Sequence, residues 1–412
     1  MKSQKTLLID AFSTMHVGNG ALIDNTYKLC SHYISNDIEI LSIDPETNSE
    51  RFPKVKEDIF SEYGGKKTQK ALFTARLVAF YLLEALNIKI FSGKLHLPWR
   101  GNLKTLRDSL ADNEICISMS GETINDHYRP HLYLRLLTYH LVILRKKKFL
   151  IFPQSIGPIF RPLTKFLLRK MLGNSYAIIS RDNASFELSK YLWNDLPVRL
   201  VFCPDVAITQ ESYPEPLPLS DKNKKVIGLT VSDIPREEMG FKEDYLIPLI
   251  TEITKAFPAD EFQFLLMPSN YKKNKESKDY LKCKEAKRLL EDQNYSVSIL
   301  ENTVIHPDTY QGLQRNLFAF ISTRMHVGIL GTSAGTPTLM INTQHKILEY
   351  MKLVHMEEYV VELTEIHYVA EKLKLLKEKN NEIRKSLTER NITLQNQIKS
   401  TISILGQEII LS

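Results

Sequence analysis

A short segment near residue 324 carries side chains that suit binding and protonating an anion. Residues 322–326 read STRMH, follow an apolar run predicted to be a strand, and open a predicted helix that ends near Gly335. Arg324 and His326 thus lie at a helix N-terminus, where free N–H groups and the dipole favour an anion. Arginine binds two phosphate or carboxylate oxygens at once, and histidine carries a proton near neutral pH. A solvated rim arginine and a structural histidine are the alternative interpretation.

A second arginine stands at a comparable place in the first half of the chain. Residues 180–183 read SRDN and leave a predicted strand, with Arg181 at its tip and Asp182 or Asn183 placed to cap the next helix. The segment 152–158, FPQSIGP, leaves another strand with a polar Gln-Ser pair and a Gly-Pro turn. Two domains that each present an arginine at a strand end would clamp an anionic ligand between them.

Other kinds of site have little support. The VGNG segment at 17–20 is only GxG, and no P-loop lysine follows it, which argues against a nucleotide fingerprint. The histidines lack metal-ligand spacing, so we expect no metal site. One basic cluster, 145–148, has no interleaved aromatic residues, which argues against nucleic-acid binding. It follows apolar residues 141–144 and is either a solvated helix end or a peripheral contact with an anionic membrane.

The composition of the chain indicates its class and its number of domains. The chain has 412 residues, 43% of them hydrophobic, and a net charge of +6, which indicates two or three domains and excludes disordered, collagen-like and histone-like proteins. Four widely spaced cysteines fit a reducing cytoplasm. The N-terminal apolar run is too short for a signal sequence. The most hydrophobic later stretch, 140–152, is interrupted by four basic residues, so we expect it not to span a membrane.

Short β-rich runs alternate with longer helical patterns, which indicates parallel βαβ units. A segment with alternating prolines, 209–225, interrupts this rhythm and predicts an extended linker. The predicted domains are an N-terminal Rossmann-like domain (1–208), the linker (209–225), a C-terminal Rossmann-like domain (226–365) and a charged helix (366–412). The predicted strands are 7–12, 38–43, 88–91, 114–119, 149–153, 176–180, 198–202, 226–231, 262–267, 297–300, 318–323 and 338–341. The predicted helices of the first half include 68–86, 133–144, 163–172 and 183–192.

The C-terminal helix carries one apolar stripe. Its members are spaced by alternating intervals of 7 and 4 residues, an average of 3.67 per turn, which keeps the stripe on one side of a nearly straight helix. The stripe either packs on its own chain or joins two copies in a homo-oligomer. The members are Leu376, Ile383, Leu387, Leu394, Ile398, Leu405 and Ile409.

An ordered set of motifs resembles the polysaccharide pyruvyl transferase family. The set is FPQSIGP, then SRDNAS, then CPD at 203–205, then ISTRMHVGILGTSAGTPTLMIN at 321–342, then Lys346, and the match extends over roughly 113–362. Two elements depart from the family pattern. Residues 18–21 read GNGA, where family members often carry an acidic pair after G-N-x-G, and the common G-G-G turn is reduced to SGE at 120–122.

The resemblance implies a GT-B-like arrangement of two Rossmann-like domains with the active cleft between them. It implies transfer of the pyruvyl group of phosphoenolpyruvate to two hydroxyls of one sugar as a cyclic ketal. This reaction would serve the synthesis of cell-surface polysaccharides. It would take place in the cytoplasm, and at the inner face of the membrane if the acceptor is lipid-linked. No cofactor is implied, and the acceptor's carrier is left open. The implied catalytic residues are His326, as general acid or phosphate ligand, and Arg324 and Arg181, as ligands of phosphate and carboxylate. The implied substrate-binding residues are Gln154, Ser155, Gly157, Lys346, Asp205, Gly18 and Asn19, with Asp205 either orienting an arginine or accepting a hydroxyl proton.

Two other functions fit parts of the sequence. A GT-B glycosyltransferase that uses a nucleotide sugar would usually supply an acidic residue near the end of the second domain, and Glu349 is the only nearby candidate. A non-catalytic paralogue that assembles through its tail helix would explain the missing acidic pair near Gly20.

Overall fold

The computed structural model describes residues 4–119, 121–219, 221, 223–233, 244–343 and 346–411. By its internal contacts the chain divides into two units. Unit 1 comprises Met1–Ser13, Leu22–Val206 and Gln397–Ser412, and unit 2 comprises Thr14–Ala21 and Ala207–Asn396.

Unit 1 is built on a sheet of seven parallel strands. The strands are β1 (Thr6–Ala11), β2 (Ile38–Ser42), β3 (Val55–Glu57), β4 (Ile115–Ser118), β5 (Lys148–Gln154), β6 (Ala177–Ser180) and β7 (Arg199–Phe202). Their order in the sheet is β3-β2-β1-β4-β5-β6-β7. Every residue of β1, β4 and β6 is buried, because helices cover both faces of a parallel sheet. The helices of this half of the chain are α1 (Val17–Tyr33), α2 (Pro45–Ser49), α3 (Lys67–Phe91), α4 (Gly101–Asp112), α5 (Arg129–Leu144), α6 (Pro162–Leu172) and α7 (Asn183–Trp193).

Unit 2 repeats the same strand order with six parallel strands. They are β8 (Lys225–Thr230), β9 (Phe262–Leu266), β10 (Val297–Ile299), β11 (Ala319–Ser322), β12 (Thr338–Asn342) and β13 (Val360–Glu362), in the order β10-β9-β8-β11-β12-β13. The strand order reverses between β8 and β11, as it does between β1 and β4 in unit 1. Such reversals open a crevice at the carboxyl ends of the strands, where α/β sheets bind ligands. The remaining helices are α8 (Leu246–Ala256), α9 (Lys278–Glu291), α10 (Pro307–Arg315), α11 (Met325–Ser333), α12 (Lys346–Leu353), α13 (Val369–Glu378) and α14 (Asn380–Leu411).

One predicted strand is wrong, and two strands lie where none is predicted. Residues 88–91 form the last turn of α3 and not a strand, because the buried side of that helix continues through Phe80, Glu84 and Asn87. The alternation of isoleucine and lysine in this turn imitates a half-buried strand. The three-residue strands β3 and β13 are too short to give a period-2 signal. The other predicted strands are confirmed, with ends that shift by one residue or so.

The structure divides the predicted helix 366–412 into α13 and α14, separated at Lys379. The apolar stripe is buried along both helices, which confirms that it packs on its own chain. Within unit 2, the amide of Asn391 donates to the backbone oxygen of Thr332 at 2.7 Å. Within unit 1, α14 lies so close to α1 that a Cβ on Gly406 would stand 2.1 Å from the backbone oxygen of Tyr33. Only glycine permits that approach.

Among the described residues, one helix is long and apolar enough to cross a membrane by length and composition. It is α3, and only 33% of its most apolar window is buried. The prediction that 140–152 is the most hydrophobic later stretch is therefore wrong. That stretch ends α5 and runs into β5, where residues 149–154 are buried in the sheet.

Candidate active site

A pocket with a volume of about 230 Å³ lies in unit 2, at the carboxyl ends of its strands. Arg324 and His326 follow β11, at the edge of the reversal point, Lys346 follows β12, and Ser269 follows β9. Five of the ten predicted site residues therefore meet here. The lining residues are His16, Gly18, Asn19, Ser269, Arg324, Met325, His326, Val327 and Lys346.

Two helix N-termini converge on this pocket, those of α1 and α11. The chain before α1 is fixed to the loop after β9, because Val17 N–H donates to Ser269 O and Tyr271 N–H donates to Met15 O, both at 2.9 Å. A Cβ added to Gly18 would lie 2.5 Å from the Cβ of His326. Gly18 is therefore a glycine because its backbone packs directly against His326.

Arg324 is oriented by a buried carboxylate. Its Nη2 donates to Asp279 Oδ1 at 2.6 Å and its Nε to Asp279 Oδ2 at 3.3 Å. Asp279, near the start of α9, is fully buried and also accepts from Ser269 Oγ at 3.0 Å. The Arg324 side chain is 40% exposed, and in the described part of the chain Nη1 has no acceptor. The guanidinium is thus held on one edge and open to an anion on the other.

The first turn of α11 lines the same pocket with Met325, His326 and Val327. Its N-cap residue, Arg324, makes no side-chain cap, and the first-turn N–H groups of a helix have no acceptor within the helix. His326, half-buried, lies in this turn. Lys346 is 6% exposed and stands at the first residue of α12, where a positive charge opposes the helix dipole.

The pKa of His16 depends on the charges around the pocket. Burial lowers its pKa most, Arg324 and Lys272 lower it further, and Asp279 acts in the opposite direction. The imidazole is therefore neutral at pH 7, and the positive charge around it outweighs the one carboxylate. This balance favours an anionic ligand.

The other five predicted residues form a second cluster, in unit 1. Arg181 Nη1 lies 2.6 Å from Asp205 Oδ2, Arg181 Nε donates to Ser155 Oγ at 2.9 Å, and Ser155 Oγ donates to Asp182 Oδ2 at 2.8 Å. All of these side chains are buried. Asp205 pairs with Arg181, as the first of its two expected roles requires, and both roles stay predictions. The catalytic role of Arg181 stays a prediction, since the contacts observed are those of a positioning residue.

The QSIGP loop is held by the same network. Gln154 is buried, and its Oε1 accepts from Thr123 Oγ1 at 2.9 Å. Gly157 has a φ of +99°, and a Cβ there would lie 2.7 Å from Leu188, so both conformation and space require glycine. Asp182 caps α7 by accepting from Ser185 N–H at 2.8 Å, which confirms the predicted cap. The role of the loop in substrate binding stays a prediction.

Three residues in or beside the pocket were not predicted: His16 and Ser269 line it, and Asp279 contacts Arg324. Asp279 and Ser269 belong to no motif, and His16 appears in the sequence only as a histidine without metal-ligand spacing. Tertiary packing brings them to Arg324, so no local signal could have identified them. Across the described residues, no three His, Cys, Asp or Glu side chains converge in a way that could hold a metal.

Comparisons with known proteins agree with this picture. The model of the family described as polysaccharide pyruvyl transferase matches residues 16–345. A comparison with curated protein sequences finds no match. The fold is similar to that of a glycosyltransferase from Rickettsia africae ESF-5, with a TM-score of 0.56, 11% identity and coverage of 100% of this chain and 99% of that one.

Two further solved structures show the same likeness. Sucrose-phosphate synthase from Thermosynechococcus elongatus has a TM-score of 0.57 and 11% identity, over 99% of this chain and 100% of that one. UDP-GlcNAc 2-epimerase from Neisseria meningitidis has a TM-score of 0.58 and 13% identity, over 99% of each chain. At such identities the likeness concerns the fold alone. It confirms the predicted fold class, two Rossmann-like domains of the GT-B kind with a long C-terminal helix.

Proposed function

The chain belongs to the polysaccharide pyruvyl transferase family, and from that premise we propose that it transfers the pyruvyl group of phosphoenolpyruvate to two hydroxyls of one sugar, forming a cyclic ketal. One observation carries the proposal. Arg324, His326, Lys346 and two helix N-termini converge on one pocket of unit 2.

The pocket suits the charge and size of this donor. Phosphoenolpyruvate carries a phosphate and a carboxylate, and Arg324 offers a guanidinium whose geometry Asp279 fixes. Lys346 and the first-turn N–H groups of α11 supply further donors. A volume of about 230 Å³ is below the roughly 300–1,000 Å³ of pockets for drug-sized ligands. It favours a small donor over a nucleotide sugar.

The chemistry follows from the placement of His326 beside these groups. His326 delivers a proton to the methylene carbon of phosphoenolpyruvate, and C2 becomes electrophilic. One sugar hydroxyl then attacks C2 and forms a C–O bond. The bond from C2 to the phosphate oxygen breaks, and the second hydroxyl closes the ketal. Of the two hydroxyl protons, one returns to His326 and the other leaves with inorganic phosphate, so the charges balance.

Arg324 and Lys346 stabilise the charge that develops on the departing phosphate. Such preorganised donors usually contribute about 10²–10³-fold to the rate. Asp279 acts through Arg324, and Gly18 acts through His326, so both are positioning residues. In unit 1 the pairing of Arg181 with Asp205 holds Ser155 and the QSIGP loop in place.

Phosphate release from phosphoenolpyruvate in the presence of a panel of sugar acceptors tests the proposal. We expect His326→Ala and Arg324→Ala each to lower kcat/KM by about 10²-fold or more. The matched controls are His367→Ala and Arg288→Ala, since both side chains are exposed and outside the pocket. Variants within a few-fold of the wild type, or turnover of a nucleotide sugar in place of phosphoenolpyruvate, would contradict the proposal.

A further inference from the structure

The outward side of α3 is apolar along most of its length. A surface helix normally turns charged side chains to solvent, whereas here exposed leucine and isoleucine recur on one side from residue 72 to residue 90. A second exposed apolar group stands at the start of α6. We call both groups together the α3–α6 face: Leu72, Leu82, Leu83, Leu86 and Ile90 of α3, with Phe160, Leu163 and Phe166.

The two groups belong to one layer of helices. Within unit 1, α3 packs against α5, and α5 packs against α6. His140 of α5 is close to a lysine of each neighbouring helix. Its pKa is lowered first by burial and then by Lys89 of α3 and Lys170 of α6. The two lysines therefore lie near one point of the layer.

The inner side of α3 shows that the helix is part of the domain. Phe73, Leu77 and Phe80 belong to the hydrophobic core of unit 1. Glu84 is fully buried, pairs with Arg145 at 2.6 Å and accepts from Trp99 Nε1 at 2.7 Å. A helix anchored in this way presents one side to a membrane surface and does not span the bilayer.

The net charge of the layer indicates which kind of partner the α3–α6 face binds. Helices α3, α5 and α6 carry nine Lys and Arg residues and one acidic residue, the buried Glu84. Of the nine, Arg135 is buried against Asp10, and Arg76 and Arg169 pair with acidic residues outside these helices, which leaves six further basic residues in the layer. The whole chain has an excess of only six positive charges. A second copy of the chain would bring one basic layer against another, which is unfavourable. Anionic headgroups would complement the basic residues while acyl chains accept the leucines.

From these observations we infer that the α3–α6 face docks unit 1 on the surface of an anionic lipid bilayer, with α3 lying in the plane of the interface. This contact is separate from the pocket of unit 2 and does not depend on the proposed reaction.

Vesicle flotation with the purified full chain tests the inference. We expect the wild type to float with vesicles made of equal parts phosphatidylcholine and phosphatidylglycerol, and to float weakly with phosphatidylcholine alone. High salt should weaken the binding. Release by alkaline carbonate distinguishes surface docking from insertion, and protein that resists this extraction would contradict the inference.

Two sets of variants locate the contact. Leu72→Ser, Leu82→Ser and Leu86→Ser combined change side chains that are 64%, 59% and 51% exposed, and we expect vesicle binding to fall more than about tenfold. The matched control combines three substitutions at similarly exposed apolar residues elsewhere and should bind like the wild type. Its members are Ile247→Ser, Leu281→Ser and Ile392→Ser, which are 57%, 49% and 56% exposed.

A pair of charge variants keeps the test decisive if the triple variant folds poorly. Lys89→Gln with Lys170→Gln should lower binding to anionic vesicles by about tenfold and leave the weak binding to neutral vesicles unchanged. Equal binding by all variants would overturn the inference. The inference would also be overturned if the wild type does not bind vesicles but forms a dimer, and the triple variant is monomeric in sedimentation analysis. The α3–α6 face would then bind a second copy of the chain.

Discussion

Replacing Gly18 by alanine tests the geometry of the pocket with a single methyl group. The added Cβ would lie 2.5 Å from the Cβ of His326, whereas carbon atoms in contact prefer about 3.5–4.0 Å. His326 must therefore move by about 1–1.5 Å relative to α1. The atom that is met is close to the backbone of α11, so rotating the imidazole does not relieve the clash.

A displacement of this size is enough to disrupt a reacting geometry. A misplacement of about 1 Å can cost about 10²-fold in rate, which corresponds to about 2.7 kcal/mol in the activation barrier. Alanine also favours a helix over glycine by about 1 kcal/mol, which offsets part of the strain, so we expect a folded protein. Gly18→Ala should lower kcat/KM for phosphate release by about 10²-fold.

Gly64→Ala is the matched control. A Cβ at Gly64 meets no atom within 4 Å, and the backbone there needs no left-handed conformation. The measurement is the steady-state rate of phosphate release, together with circular dichroism of both variants. Gly18→Ala with a rate within threefold of the wild type would refute the argument that contact with Gly18 positions His326.

Three further predictions follow from buried and charged groups. In an NMR titration, Arg324→Gln should raise the pKa of His16 and Asp279→Asn should lower it, and shifts of the same sign would contradict the geometry. Asp10→Ala should lower the free energy of unfolding by about 3–5 kcal/mol in urea, because it leaves Arg135 buried without its ion pair; a loss below 1 kcal/mol would contradict this. Burial lowers the pKa of three histidines below the unfolded value of 6.5. The folded chain therefore binds fewer protons than the unfolded chain, and its free energy of unfolding should fall as the pH falls through 6.5. A variant with all three histidines changed to Gln should not show this loss. The three are His16, His131 and His140.

The parts of the fold that could be predicted are those with local causes. Apolar runs such as Ile115–Ser118 must be buried on both faces, and this predicts parallel strands flanked by helices. Arg324 and His326 could be assigned to the site because they directly follow such a strand. Lys346 was expected at the site only from the family resemblance, and the structure places it in the same pocket, after β12.

The parts that could not be predicted depend on tertiary packing. Asp279 is 45 residues from Arg324 along the chain, so the contact that orients the guanidinium leaves no trace in local sequence. Arg181 follows a strand as Arg324 does, yet it is buried against Asp205. The outward apolar side of α3 was also not predicted, because a helix with apolar residues on its outward side as well as its buried side shows little amphipathic period.

The central claim is that the pocket of unit 2 converts phosphoenolpyruvate. Its most direct test is ³¹P NMR of the wild-type protein with phosphoenolpyruvate and a panel of sugar acceptors. We predict that, with one acceptor, the enol phosphate signal is replaced by that of inorganic phosphate. The sugar should gain the mass of one pyruvic acid less one water. Phosphoenolpyruvate that stays intact with every acceptor, while Arg324→Ala and the wild type bind it equally in calorimetry, would contradict the claim.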